Sequence, residues 1–452
     1  MKTWAPQIYQ ERRQRLCEQV GSGLILLPGN GDSPANFKAN CYPFRQDSTF
    51  LYFFGLDSPN LVGLLDAESG EGVLFGDDPD ADHVIWTYPT PPLASQAEAV
   101  GMASVKPLRE LEDVVGRLGS GRAIHLAPLY RFDQRALISR VVEKVGDDAS
   151  EPLIRAIVRQ RSVKSPEEVA QIERALAISL EMHREVQKVI RPGIKEEALV
   201  AASEAVAQAR GSRTSFQTIM TVRGEILHNP RYDNVLEVGQ LLVHDSGAES
   251  ELGYASDITT TLSVDGEWNE DQVFLRDTVE RARNEATKAC RPGVMFRDVH
   301  ALAAKELLRG LKELGLVLGN LDDAVEEDVH TLFFPCGLGH MLGLDVHDME
   351  ALGEDFVGYT NECRRQDRFG WRNLRLGKAL KKDYVITVEP GIYFNPVLMD
   401  RWQAAGKADS FLDYERLSAF RHFGGIRLEQ DVLITQEGAR VLGSQDEIDA
   451  LR

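Results

Sequence analysis

Four short segments of the chain hold acidic or imidazole side chains in sequence that otherwise reads as apolar strand. HDSGAESELGYASDITTT, residues 244–261, reads as a hairpin with Asp245 near the end of one strand and Asp257 inside the next. By the strand period of two, Ala255, Asp257, Thr259 and Thr261 share a face. FFPCGLGHMLGLDVHD, residues 333–348, sets His340 and His347 among small and apolar neighbours. TVEPGIYFNP, residues 387–396, closes an apolar strand with Glu389. In GGIRLEQDVLIT, residues 424–435, Arg427, Glu429 and Asp431 share one face, with Leu428, Val432 and Ile434 on the other.

Taken singly, each has an ordinary explanation: an edge-strand carboxylate, one end of an ion pair, a satisfied core histidine. Together they do not. Asp and Glu are depleted in strands, and buried carboxylates raise one another's pKa. Arg427 is the only obvious cation among them. Buried charge has to be paired or bound to metal. Two divalent cations would balance four carboxylates, and a bridging hydroxide would leave one net negative charge. Carboxylate-rich ligation with one imidazole is a hard donor set. It suits manganese, cobalt or zinc better than copper or a cluster.

The elements that must position these residues are legible around them. Ser165, Pro166 and Glu168 form a capping-box start. Val169, Ile172, Leu176, His183, Val186 and Ile190 continue it as a helical stripe that ends at Pro192-Gly193. A second helix is expected over 195–210. The pattern then repeats, with a helix over 274–290, Arg291-Pro292-Gly293, and another helix to about residue 314. Two Arg-Pro-Gly turns, each between two helices and each leading into strand-like sequence, make an internal duplication. Two similar α/β halves with a cleft between their sheets are expected. Ahead of them, GLILLP, LVGLLD and GVLF read as strands, and residues 108–118 and 131–145 as helices, giving a smaller α/β domain. A boundary is expected within residues 146–163.

At this point the chain resembles the pita-bread metallopeptidases, which include the aminopeptidase P enzymes, the prolidases and the methionine aminopeptidases. The resemblance rests on DxG followed by GYxSDIT, then GLGHxLGLDVHD, VEPGIY and GIRxE, in that order, and it covers nearly the whole chain. FRQDSTFLYFFGL, residues 44–56, resembles the creatinase-like N-terminal domain of the aminopeptidase P and prolidase branch, which methionine aminopeptidases lack. The resemblance implies an α/β (α+β) chain. Residues 1–155 would form the creatinase-like domain and residues 156–452 a pita-bread catalytic domain with a pseudo-twofold duplication. It implies two divalent ions, manganese first, with cobalt or zinc as alternatives.

The ligand roles come with the resemblance. Asp245 would bind one ion with both oxygens, Asp257 and Glu429 would bridge, and His340 and Glu389 would complete the other. Glu389 would also move a proton from the attacking water. His228 in EILHNP and His347 would act on substrate, and Arg427 would either contact substrate or neutralise carboxylate charge. The implied activity is release of an N-terminal residue that precedes proline, from a peptide with proline second. A prolidase confined to Xaa-Pro dipeptides is the nearest alternative. A non-peptide hydrolase or lyase, or a metal-free binding protein on the same fold, stands further off. A homodimer is implied as well.

Departures from the family pattern are specific. Cys336 stands where many relatives have histidine, Thr260 replaces the arginine of DITRT, and Gln430 replaces an acidic residue after Glu429. The hairpin between Asp245 and Asp257 looks one residue longer than usual, and there are two insertions. Residues 350–380 carry the basic, aromatic stretch RRQDRFGWRNLRLGKALKK, which as a lid could hold a substrate carboxylate and favour short peptides. Residues 397–420 form the second.

Composition excludes other classes. A net charge of −19, from 51 Lys plus Arg against 70 Asp plus Glu, repels nucleic-acid phosphates and anionic membranes. No apolar run is long enough to span a bilayer, and the first residues lack a signal-peptide core. The five cysteines are widely spaced with no CxxC, so reduced thiols and a cytoplasmic location are expected. HExxH, GxSxG, GxGxxG and P-loop patterns are absent.

Overall fold

The computed structural model describes residues 3–79, 81–86, 89–142 and 149–451. The chain divides into two compact units, residues 1–161 with Met349–Phe356, and residues 162–348 with Val357–Arg452. The helix Glu151–Ser162 runs through the expected 155/156 division. Among the described residues no helix is long and apolar enough to cross a membrane, and all five cysteines are free.

The first unit is built on a five-stranded sheet in the order Val105–Lys106, Gly72–Phe75, Val62–Asp66, Leu24–Pro28, Ile124–His125. The three longest of these strands are the three apolar runs expected from sequence. The expected helix over 108–118 is a 3-10 turn, Leu108–Glu110, followed by the helix Leu111–Leu118. The expected helix over 131–145 is shorter, Phe132–Ile138. Its last expected residues, 143–145, and residues 146–148 of the expected boundary lie outside the described residues. An unforeseen helix, Pro6–Val20, buries Arg12 and Arg13. Both are satisfied by main-chain oxygens: Arg12 donates to Tyr52 at 3.0 Å, and Arg13 to Phe53 at 2.8 Å and Val100 at 3.0 Å.

The second unit repeats one motif twice. Helices Pro166–Val189 and Glu196–Ala209 form the first pair, and Glu270–Ala289 and Phe296–Glu313 the second. Capping boxes start the first helix of each pair, Ser165 with Glu168 and Asn269 with Gln272. The turns between helices are superimposable in their hydrogen bonding. Gly193 (φ +86°) donates to Leu236 O at 2.8 Å, and Gly293 (φ +87°) to Leu380 O at 2.9 Å. Leu236 and Leu380 donate back to Ile194 O and Val294 O at 2.8 and 2.9 Å. The left-handed φ is why each turn ends in glycine.

Each pair of helices leads into a small sheet. In the first half, Leu241–Ser246 lies between Ile219–Thr221 and Ile258–Ser263, all antiparallel. In the second half, Gln430–Ile434 lies between Val385–Val388 and Ala439–Val441, and Gly391–Tyr393 pairs Gly425–Arg427. GGIRLEQDVLIT is therefore two strands rather than one. The break at Leu428-Glu429 lets its two ends pair with different partners, and Glu429 N–H donates to Thr259 O at 3.0 Å across the two halves.

Candidate metal centre

The hairpin sets the first two carboxylates. Asp245 is next to last in its strand, opposite Thr259 on one side and Ile219 on the other. Asp257 comes immediately before the next strand, and its main-chain N–H donates to Asp431 Oδ2 at 3.3 Å. Ala255 N–H donates to Gly343 O at 2.8 Å, which ties the hairpin to the loop that carries His340.

That loop is packed against a strand by its backbone. His340 N–H donates to Thr387 Oγ1 at 3.1 Å, and Thr387 N–H donates to His340 O at 3.0 Å. A Cβ on Gly339 would stand 2.1 Å from Thr387 O, so only glycine permits this approach. His340 Nδ1 lies 3.0 Å from Met341 O. A carbonyl only accepts, so the proton sits on Nδ1 and the Nε2 lone pair is left for a ligand role. Glu389 closes its strand and donates its N–H to Leu338 O at 2.8 Å.

Five expected ligands converge. Single ligand atoms of Asp257, His340 and Glu429, all buried, lie within 4.8 Å of one another, a spacing that could hold a metal ion. His340 Nε2 is 3.4 Å from Asp257 Oδ2 and 3.7 Å from Glu389 Oε1. Asp245 stands beside them, but Arg427 Nη2 donates to its Oδ2 at 2.6 Å. Oδ1 of Asp245 is without a hydrogen-bond partner. The remaining nitrogens of Arg427 are also engaged, Nε with Thr259 Oγ1 and Nη1 with Tyr393 OH, each at 3.1 Å. That is the charge-neutralising arrangement rather than one that presents the guanidinium to substrate. Thr259 Oγ1 then donates to Glu429 Oε2 at 2.7 Å.

Several of these oxygens are orphaned. Asp245 Oδ1, Asp257 Oδ1 and Glu429 Oε1 are buried with no hydrogen-bond partner. Burial without a partner is costly for a carboxylate. Burial accordingly pushes Asp257 well above the ordinary carboxylate value, and Asp245, Asp431 and Glu389 push it further. Glu429 is raised in the same way by burial, then by Asp257, Glu389 and Asp245. Glu389 is raised by burial against the lowering effect of His340 and Arg427. For Arg427, burial opposes the charge, yet Tyr393, Asp245 and Glu389 hold it protonated. Hard oxygen donors with unspent lone pairs around one imidazole fit a divalent cation.

The histidines expected to act on substrate lie at the rim. His347 is half-buried, and its ring centroid is 4.2 Å from that of His340 at a 56° tilt. His228 is exposed. Its pKa is lowered by desolvation first, then by Arg427, His347 and Arg375, with Asp245 opposing. Glu389 is the most accessible of the carboxylates, with 20% of its side chain exposed.

Sequence reasoning set Thr259 and Asp431 on the faces of Asp257 and Glu429 without giving them a role, and missed Tyr393 and Thr387; Asp431 accepts from the Asp257 main chain, and the others hydrogen-bond the candidate ligands or Arg427. Thr260 and Gln430 are two of the departures from the family pattern. They face the helices, Thr260 Oγ1 at 2.9 Å from His183 Nδ1 and Gln430 Nε2 at 2.8 Å from Thr287 Oγ1. The period of two turns each away from Thr259 and Glu429. Cys336 hydrogen-bonds Tyr393, and burial pushes its thiol up to about 12.

Comparison with known proteins agrees with this geometry. Residues 170–436 match the model of metallopeptidase family M24, and residues 9–126 match the aminopeptidase P N-terminal domain. The human Xaa-Pro dipeptidase is 31% identical, over 96% of this chain and 90% of that protein. A probable Xaa-Pro aminopeptidase of Uncinocarpus reesii is 30% identical, over 93% and 87%. The structure of zinc-substituted Escherichia coli aminopeptidase P in complex with product superimposes with a TM-score of 0.80. It is 27% identical and covers 100% of this chain and 98% of that one.

Proposed function

The chain belongs to metallopeptidase family M24, and from that premise we propose that it removes an N-terminal residue that precedes proline, as an Xaa-Pro aminopeptidase using two divalent ions. Residues 156–452 carry the chemistry and residues 1–155 form a non-catalytic N-terminal domain. The observation that carries the reading is the convergence of Asp257, His340 and Glu429 with unspent oxygens on Asp245, Asp257 and Glu429. Those residues and Glu389 would hold the ions, manganese first. Bound there, the ions supply Lewis acidity for an attacking water and for the scissile carbonyl.

The chain's own residues do the rest. Glu389, accessible and with a raised pKa, takes a proton at its carboxylate and returns it to the leaving nitrogen. His347, packed on His340, would hydrogen-bond the carbonyl oxygen, and His228 the peptide beyond it. Arg427 donates to Asp245 and holds it in place. A bond to proline has no N–H, and nothing in this set needs one. The protein is read as cytoplasmic and dimeric, with the N-terminal domain contributing to the dimer.

One observation favours a narrower substrate. Arg375, from the basic insertion, contributes a positive charge that lowers the pKa of both Glu389 and His228. A guanidinium on that insertion would hold a substrate carboxylate, which only short peptides place there. The dipeptide-restricted reading rests on it. The test loads the protein with manganese and offers Gly-Pro, Gly-Pro-Ala and Gly-Ala-Ala. Release of Gly from Gly-Pro-Ala supports the aminopeptidase, and cleavage of Gly-Pro alone makes it a dipeptidase. Two bound ions with none cleaved would sink the peptidase reading.

A further inference from the structure

The loop that follows His340 is closed on itself. Asp348 N–H donates to Met341 O at 2.8 Å, and Gly343 N–H to Asp345 O at 3.1 Å. Its start is tied to a strand, where Leu342 N–H donates to Val385 O at 3.0 Å. The Asp348 carboxylate lies against the inside of this loop. Its Oδ1 accepts from Asp345 N–H at 3.3 Å, and a Cβ on Gly343 would stand 2.4 Å from its Oδ2. Gly343 therefore makes room for the acid. The residue before Asp348 is His347, whose ring centroid is 4.2 Å from that of His340.

Lys164 comes to this loop from the start of the other half. It precedes Ser165, the cap that opens the first helix pair. Its Nζ donates to Asp348 Oδ2 at 2.8 Å, and both side chains are 1% exposed. Lys164 N–H donates to Asp383 O, and Asp383 N–H to Ile434 O, each at 2.8 Å. The lysine is thus fixed through its main chain to the sheet of the second half and through its ammonium to the loop.

Taking two charges out of water is costly, and an apolar pair of the same volume avoids that cost. A buried ion pair is therefore a poor device for stability alone. What this one fixes is direction. One carboxylate oxygen is held by Nζ and the other by the Asp345 main chain, so the residue beside His347 is pinned at both oxygens. His340 has a separate anchor, the paired main-chain and hydroxyl contacts with Thr387.

We propose that Lys164 and Asp348 are positioning residues that hold His347 where it meets substrate. The proposal rests on the reading of His347 as a substrate contact. It makes the first half contribute to the second half's histidine through an ion pair buried away from solvent. Breaking the pair frees His347 and leaves the metal ligands where they are.

The test measures kcat/KM, bound manganese per chain and Tm on H347A, D348N, K164M, K164R, K164M/D348L and H347A/D348N, with whichever of Gly-Pro and Gly-Pro-Ala the wild type cleaves. H347A, D348N and K164M are each expected to lower kcat/KM by about tenfold or more, the scale of a lost hydrogen bond in the transition state, with manganese content unchanged. In the H347A background, D348N should cost less than about twofold further. K164R, which keeps the charge, should lose least. The apolar pair K164M/D348L should regain Tm over the single variants without regaining kcat/KM. If H347A stays within about twofold of wild type, the reading of His347 falls and the proposal with it. If H347A is impaired but D348N costs as much in its background as in wild type, or lowers bound manganese, the positioning role is overturned and the reading of His347 stands. A K164M/D348L variant that regains both Tm and kcat/KM overturns it as well. Should D348N or K164M fail to fold, K164M/D348L is carried into the H347A background and decides by the same comparison.

Discussion

The two halves of the catalytic unit begin alike and end differently. Each opens with a capped helix, an Arg-Pro-Gly turn and a second helix, and each locks its turn by the same pair of main-chain hydrogen bonds, to Leu236 in one and Leu380 in the other. Each then delivers carboxylates from strand ends, Asp245 and Asp257 from the first half, Glu389 and Glu429 from the second. Beyond that the symmetry stops. The second half alone adds the imidazole His340, the cation Arg427 and the basic insertion. The duplicated part supplies a matched set of carboxylates, and the two histidines proposed to act on substrate come one from each half, His228 and His347. Duplication explains why an acidic protein concentrates so much negative charge in one cleft.

If both halves are needed for one site, crippling either should be equally damaging. D257N from the first half and E429Q from the second should each lower kcat/KM by about a thousandfold or more, within about tenfold of each other. Steady-state kinetics on Gly-Pro with manganese reads this, and a large inequality would break the equivalence of the halves. Arg427 is an element that only the second half has. R427M leaves Asp245 buried without its cation and should cost about 3–5 kcal/mol of stability. Denaturant unfolding checks it, and a neutral outcome would show that Asp245 needs no partner.

The two halves also share buried histidines, and pH sharpens the comparison. Burial holds His183 and His300 each to about 4, against about 6.5 in an unfolded chain. Between those values the unfolded state binds the extra proton. Their contribution to stability is therefore full above about pH 6.5 and falls as pH drops toward 4. The raised carboxylates Asp257, Glu389 and Glu429 act with the opposite sign in the metal-free protein, which loses stability as pH rises above the ordinary carboxylate range. Binding of manganese replaces those protons, so its effect on Tm should be larger at pH 8 than at pH 5, measured by thermal melts of both forms. The smallest expected effect comes from Thr260→Val and Gln430→Leu, one in each half. Each should cost about 1 kcal/mol in stability for a lost neutral hydrogen bond and leave kcat in place, because both face helices.

What the sequence revealed follows from what is local. The four helices around the two Arg-Pro-Gly turns announce themselves through caps, stripes and stops. The four carboxylates of the candidate site stand out because acids are out of place in apolar strands, and His340 because it sits among small and apolar neighbours. The helix Pro6–Val20 was not visible, because its buried face holds Arg12 and Arg13, whose satisfaction by carbonyls of residues 40 and more positions away leaves no apolar stripe. The break at Leu428-Glu429 escaped because two different partner strands impose it. Thr259 and Tyr393 are ordinary residues in sequence that gain roles only through long-range contact.

The most direct test of the account is metal content. Wild type, D257N and E429Q, each dialysed against manganese and freed of excess, would be assayed for bound metal per chain alongside circular dichroism. The account predicts two ions in the wild type and fewer in both variants, with the folds unchanged. A wild type that binds no ion, or variants from one half that keep the full complement, would contradict a single site shared by both halves.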